Sequence, residues 1–492
     1  MPFIVSLILT LVITGFMAGS SPSLMFPVAR AQSSPFDWSN PLRITQSQEQ
    51  TSEPYLVADR SGRLHLFWSP YSTTNSQSMY YSQWDGVSWS NPIDIFNLRQ
   101  IFGPTAAVDS KGTIHLVWSD GTTIYYSQAP VDKAISARNW AEATPIANGN
   151  GHPQILVDDK DKLYLVFPQL SSAGPAMISS EDNGFTWSTE SIISFTNTPD
   201  TSADYTRAAI TSDGTIHVVW TEYQLPVGWP PLGLYYSHSN DGGQTWSRPI
   251  KMADDYYNQI TVATFGDRVV HLAWNGAAGV GGRYHRWSQD GGKSWSSTQS
   301  VVPEGFGGSE GPPQLAIDAL GTLHLITTFD QRVWYSYFQP TSGQRWSELT
   351  YVPTGNESGI PPIDQPIDPT TQRLIEHPAM AINGGNKLHL VFWDEQSNQQ
   401  FIQYWYSTKQ TSAGPLDFKP FVSPTPPAQA TTNNDTVVPT ASISTPTPPF
   451  DDDAGIGIPT ANPGWPILAA IMPVFILVGV IFLLKMSKLN KK

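Results

Sequence analysis

Cysteine is absent from the 492 residues. That excludes disulfides, thiolate metal sites and cysteine nucleophiles, and leaves a packed core as the only staple for an exported chain. Charge is scarce as well, at 14% of residues, and basic charge is scarcest, with 27 Lys and Arg against 41 Asp and Glu. With both chain ends set aside the middle holds 22 basic against 41 acidic residues. A deficit of that sign argues against nucleic acid, whose phosphates need cations, and against an anionic membrane surface. Aromatics are plentiful, at 12% with 18 Trp, which favours strands over helices.

The two ends are apolar. MPFIVSLILTLVITGF carries no Lys or Arg, and Ala29 and Ala31 follow in A-x-A spacing. This reads as a secretory signal over residues 1–31, with an uncleaved anchor as the rival. Near the other end an uncharged apolar run from Pro466 to Leu484 lies between Trp465 and a cluster of Lys485, Lys488, Lys491 and Lys492. Its length and flanks predict one transmembrane helix over 463–485 with a cytoplasmic basic tail over 486–492. Residues 423–462, rich in Pro and Thr, read as a stalk. The expected location is a cell membrane, single-pass, with the N-terminal domain extracellular.

Between the ends one unit recurs seven times. SEPYLVADRSGRLHLFW, FGPTAAVDSKGTIHLVW, GHPQILVDDKDKLYLVF, DYTRAAITSDGTIHVVW, NQITVATFGDRVVHLAW, PPQLAIDALGTLHLITT and EHPAMAINGGNKLHLVF each read as strand, tight turn, strand. His65, His115, His217, His271, His324 and His389 share one column, and Tyr164 fills the seventh place. An aromatic third strand follows, then a turn, a Trp and a fourth strand. The repeat of about 50 residues is that of propeller blades. The fold expected is all-β: a β-propeller over 35–422 of seven four-stranded blades, with six as the runner-up, plus the transmembrane helix. Only six fourth strands follow their units, at Trp89, Trp140, Trp187, Trp246, Trp295 and Trp346. The seventh is expected from DWSNPLRI at the start, with Trp38, or else from LDFKPFV at 416–422, the first choice closing the ring.

The stretch S-x-D-x-G-x-x-W occurs complete three times: Ser180, Asp182, Gly184 and Trp187; Ser239, Asp241, Gly243 and Trp246; Ser288, Asp290, Gly292 and Trp295. This resembles the Asp box of the sialidase-like, BNR-repeat propellers. Its parts read as architecture: an Asp to accept backbone N–H groups, a Gly for positive φ or close packing, a Trp between sheets. A residue repeated once per blade cannot be a single asymmetric catalyst, so the histidine column is read as satisfying backbone or neighbouring blades.

Variation gathers on the opposite face, mostly in units four to seven, which points to a groove there, off the ring's centre. Asp204 and Arg207 stand out; Arg207 fills a first-strand column otherwise held by Tyr55, Thr105, Gln154, Thr261, Gln314 and Ala379. Glu222, Arg283, Glu310, Arg373, Glu376, Asp394 and Glu395 are further charged candidates, and Tyr205, Tyr223 and Trp229 could stack on a sugar. The resemblance implies a sugar carboxylate held by three arginines, a Tyr–Glu nucleophile pair and an acid/base Asp. Arg207, Arg283 and Arg373 are nominated by position, with Asp204 and Glu222. The family's R-I-P stretch is reduced here to Arg43 in PLRIT. The expected function is a membrane-anchored propeller binding surface or extracellular glycan, its alternatives an exo-α-sialidase or other glycoside hydrolase, and a protein-binding envelope scaffold. No cofactor, no metal, no nucleic acid and a monomeric state are expected.

Overall fold

A computed structural model describes residues 38–416, apart from 48–49, 52, 72–76, 171–173, 196–199, 226–227, 229, 255–256, 277–280, 305–310, 330–331, 341–342, 355–372 and 397–400. Seven antiparallel sheets of four main strands form the blades of a ring. Blade 1 spans 55–98, blade 2 102–148, blade 3 154–192, blade 4 201–253, blade 5 257–302 and blade 6 314–351. Blade 7 combines the strands of 373–410 with the first strand of the domain, Leu42–Ser47. That strand pairs antiparallel with Phe401–Gln410, Leu42 opposite Tyr406. The ring is thus closed by its own N-terminal strand, which covers the hydrogen-bonding edge that blade 7 would otherwise leave open.

The second strand of each blade is buried on both faces because a neighbouring sheet packs on either side. All of Leu64–Trp68 is buried, as are Leu163–Pro168 and Leu323–Phe329. Such strands read as continuous apolar runs, and each fully buried Leu or Val contributes about 1.5–3 kcal/mol.

The repeated histidines lock the ring, though by another route than the sequence suggests. Their partners lie within their own blade. Nδ1 of His65 bonds the Tyr81 hydroxyl at 2.7 Å, His115 that of Tyr126 at 2.7 Å, and His389 that of Tyr406 at 2.6 Å. The other nitrogen faces the turn aspartate, at 3.5 Å for His65 and Asp59 and 3.3 Å for His324 and Asp318. The third-strand aromatic then receives the fourth-strand Trp of the following blade. Trp89 meets Tyr406, Trp187 meets Tyr126, Trp295 meets Tyr236 and Trp38 meets Tyr335, all at steep angles and 4.8–5.6 Å. Edge-to-face packing of this kind adds about 0.5–1.5 kcal/mol beyond burial.

The Asp boxes are built as their chemistry suggests. Asp241 accepts from Ser239 Oγ at 2.7 Å and from the Thr245 N–H at 2.9 Å, while the Gly243 N–H donates to Ser239 Oγ at 2.8 Å. These bonds hold the Asp241 and Asp290 carboxyls below the usual range. Gly292 has φ +84°, and a Cβ there would lie 1.8 Å from the Tyr236 hydroxyl of the preceding blade. Glycine is required on both counts.

The expected transmembrane helix is corrected. Among the described residues no helix is long and apolar enough to cross a membrane. The regular elements of the described residues are all strands, apart from a single 3-10 turn at Ala137–Asn139. Residues 463–485, on which the expectation fell, lie outside the described residues, as do the signal, stalk and tail. The single-pass anchor, and the membrane location and topology inferred from it, have no support in the described residues.

Candidate functional site

The seven first strands stand innermost and contact one another around the axis. Their aligned residues form two rings. The deeper ring is the column already noted: Tyr55, Thr105, Gln154, Arg207, Thr261, Gln314 and Ala379. Two positions earlier in each unit stand Glu53, Gly103, His152, Tyr205, Gln259, Pro312 and His377. This upper ring lies in the N-terminal half of the first strands or just before them, on the face away from the Asp boxes. The deeper ring, with Glu53, Gly103, Pro312 and His377 of the upper one, walls an axial funnel of about 160 Å³.

A β-bulge shapes the upper ring. The register of first and second strands slips between Phe102 and Thr105, Asp204 and Arg207, Asn258 and Thr261, and Glu376 and Ala379. In blade 2 the bulged residue is Gly103, at φ +51°, the residue type this position favours. Blades 4, 5 and 7 put side chains there instead: Tyr205 at φ +48°, Gln259 at +52° and His377 at +46°. Left-handed backbone costs a bulky residue on the order of 1–3 kcal/mol, and it persists where the surroundings fix it. The same strained position thus recurs in three of the seven blades.

The charged groups alternate in sign. His152 Nδ1 lies 2.9 Å from Asp204 Oδ1, whose other neighbours include the N–H groups of Tyr205, at 2.7 Å, and His152. The far side of His152 faces Glu53 at 3.9 Å. Glu53 also faces His377 Nδ1 at 3.4 Å, and His377 Nε2 faces Glu376 at 3.6 Å. Burial pushes Glu53 upward, but His377, His152 and Arg207 outweigh it and hold the carboxyl far below its ordinary value. Burial likewise opposes charge on the two imidazoles; Asp204 and Glu53 overcome it for His152, and Glu53 and Glu376 for His377, so both are raised. Asp204 is lowered, burial being outweighed by His152 and the two N–H donors.

The aromatic groups are placed by the same ring. Tyr205 stacks on His152 with centroids 4.4 Å apart and planes 12° from parallel. Its hydroxyl, raised by burial, faces the Gln259 side chain. Gln259 is fixed in turn by Asn275, whose Nδ2 donates to Gln259 Oε1 and to the Gly311 carbonyl, both at 2.7 Å. His377 stacks on Trp393 at 5.8 Å. Room for His152 comes from Gly103, where a Cβ would lie 2.9 Å from the His152 Cα.

Of the expected site residues Arg207 lines the funnel; Asp204 and Tyr205 stand behind it on His152, Glu376 lies against His377, and Tyr223 borders Asp204 and Tyr205. The Arg207 guanidinium lines the cavity and donates from Nη1 to the Thr206 carbonyl at 3.0 Å. Arg283 stands elsewhere. It is fully buried between blades 5 and 6, donating to Thr327 Oγ1, Gly282 O and Thr328 O at 2.6–2.8 Å, a structural role. Glu222 is buried beside the Tyr235 hydroxyl on the second strand of blade 4. Asp394 is buried on the second strand of blade 7. Trp229, Glu310 and the side chains of Arg373 and Glu395 lie outside the described residues.

Glu53, His152, Gln259 and His377 escaped the sequence reading, which placed the site off-centre. Their signal was present: each stands two places before the Arg207 column, where the seven units read E, G, H, Y, Q, P, H. Among the described residues no group of three or more His, Asp or Glu is arranged to hold a metal ion.

The fold is a seven-bladed β-propeller with Asp-box turns. A family model described as a BNR repeat-like domain matches residues 26–258. No curated protein matches the chain. Among solved structures it is similar to a protein of unknown function from Dyadobacter fermentans DSM 18053, at 10% identity and TM-score 0.47, over 75% of this chain and 98% of that one. It is also similar to a PL25 ulvan lyase, at 12% identity and TM-score 0.49, over 73% and 95%. The NanB sialidase of Streptococcus pneumoniae matches at 13% identity and TM-score 0.42, over 77% and 71%. At these identities the likeness is one of fold.

Proposed function

We propose that this protein is a carbohydrate-binding propeller whose ligand docks in the mouth of the axial funnel. The observation that carries the reading is an axial funnel lined by Glu53, Arg207 and His377, with His152, Asp204 and the left-handed bulge residue Tyr205 packed directly behind them. A concave site with a few convergent polar groups and shifted ionisable side chains is the usual form of a small-ligand site. Amides, imidazoles and a guanidinium match sugar hydroxyls, and the Tyr205 ring offers a flat apolar face.

A second reading adds turnover. The His152–Asp204 pair at 2.9 Å, with Tyr205 stacked on the imidazole, places groups able to give and take a proton side by side.

Both readings are tested with the purified chain on a panel of neutral, sialylated and uronate-containing saccharides. Tryptophan fluorescence reports binding. Released reducing sugar reports hydrolysis, and ultraviolet absorbance of a new double bond reports elimination. Saturable binding lost in Arg207→Ala and Tyr205→Ala, with unchanged thermal stability in Arg207→Ala, supports the funnel as the site. Silence across the panel in the unmodified protein overturns it.

A further inference from the structure

Glu53 holds the place in the funnel that a ligand's own carboxylate would need. Its two oxygens face His377 Nδ1 at 3.4 Å and His152 Nε2 at 3.9 Å, from blades 7 and 3. Arg207 lines the same cavity. These are the three cationic or potentially cationic side chains that act on Glu53, and each imidazole is also turned toward a second carboxylate, Asp204 or Glu376.

We propose that Glu53 is a specificity-determining residue that selects uncharged saccharides and rejects acidic ones. The inference rests on the carbohydrate reading of the funnel. With both imidazoles protonated, three cations face Glu53, Asp204 and Glu376, and the wall is balanced; with either imidazole neutral it is net negative. In neither state does this set carry a net positive charge for an incoming carboxylate or sulfate. Bringing a like charge beside Glu53 is repulsive, and repulsion of that kind is how sites reject wrong partners. The whole chain carries a formal charge of −14, which slows the approach of acidic polymers. The three-arginine carboxylate clamp implied by the family resemblance is not assembled here from the described side chains, since Arg283 is spent between blades.

The test compares the unmodified protein with Glu53→Gln, which keeps the shape and a hydrogen-bonding oxygen but removes the charge. Glu53→Ala is run in parallel should the amide disturb the fold. Acetate serves as a probe of the carboxylate place independent of any sugar, followed by the ring shifts of His152 and His377 in NMR. Neutral and uronate oligosaccharides of matched length are titrated by tryptophan fluorescence. The expected result is acetate binding in a Glu53 variant and none in the unmodified protein. For any uronate ligand that binds, its affinity should rise at least about tenfold in that variant relative to the neutral one. Uronate binding by the unmodified protein as tight as in Glu53→Gln overturns the specificity role while leaving the carbohydrate reading intact. Loss of all sugar binding together with acetate capture in Glu53→Gln upholds the role of Glu53 as the internal anion and removes the carbohydrate reading. Failure of both folded Glu53 variants to take up acetate overturns the inference.

Discussion

His152 in blade 3 and Asp204 in blade 4 meet with Nδ1 and Oδ1 2.9 Å apart, across the boundary between two sheets. Gly151 makes the approach possible, since a Cβ there would lie 2.2 Å from Asp204 Oδ1. Asp204→Asn should lower the His152 pKa toward or below that of a free imidazole, because the largest influence opposing burial is lost. Histidine NMR titration reads this directly. An unchanged His152 titration in a folded Asp204→Asn protein contradicts the pairing.

Stability should depend on pH in two opposed ways. His152 and His377 are raised in the folded state, facing Glu53, Asp204 and Glu376, with Arg207 and Tyr205 nearby. Their contribution is complete below the unfolded histidine value of about 6.5 and is lost as pH rises through their folded values. The buried relay behaves oppositely. His217 and His271 are depressed to about 4 and His389 to about 3, chiefly by burial. Their contribution is present above about 6.5 and falls away as pH drops toward those values. The lowered carboxyls of Glu53 and Asp204 act in the same direction at lower pH. Tm against pH should therefore pass through a maximum near neutrality. The alkaline decline should vanish in a His152→Asn, His377→Asn double variant while the acid decline stays.

Tyr81→Phe should destabilise the ring by about 1–3 kcal/mol, since it strips the partner from the fully buried His65 Nδ1. Denaturant unfolding measures it. A cost near zero means the relay contributes nothing.

Gly292→Ala should cost a comparable or larger amount, about 1–3 kcal/mol or more, from positive φ and collision with Tyr236. Because the Asp boxes lie on the face away from the funnel, saccharide affinity of the folded fraction should be unchanged. A selective loss of binding at full stability would move function to the Asp-box face.

Gly103→Ala should act on the funnel instead. Its Cβ would press on the His152 backbone and ring. The expected outcome is a lower Tm together with an altered His152 titration and weaker ligand binding, where Gly292→Ala shows only the first.

Much of the fold was legible in the chain itself. Strand-length β-formers, an Asp/Gly turn and a Trp at fixed offsets are local features, and sevenfold recurrence makes each a check on the others. Even closure by Trp38 and its neighbours could be counted, because a four-stranded unit with three strands must find its fourth. The Asp boxes were legible for the same reason, as their hydrogen bonds close within five residues. The site was legible only in part. Asp204 and Arg207 could be noticed as charges breaking a neutral column, yet nothing local joins Glu53 to His377, which stand 324 positions apart in sequence. Only ring closure brings blade 7 against blade 1. The bulges decided the rest, since one extra residue per strand puts Tyr205, Gln259 and His377 in left-handed backbone and resets the register of their strands. The same closure fixed which arginine was available. Arg207 and Arg283 look alike as charges in a sequence, but one strand position lines the funnel and the other is enclosed between two sheets, where three oxygens take up its hydrogen bonds.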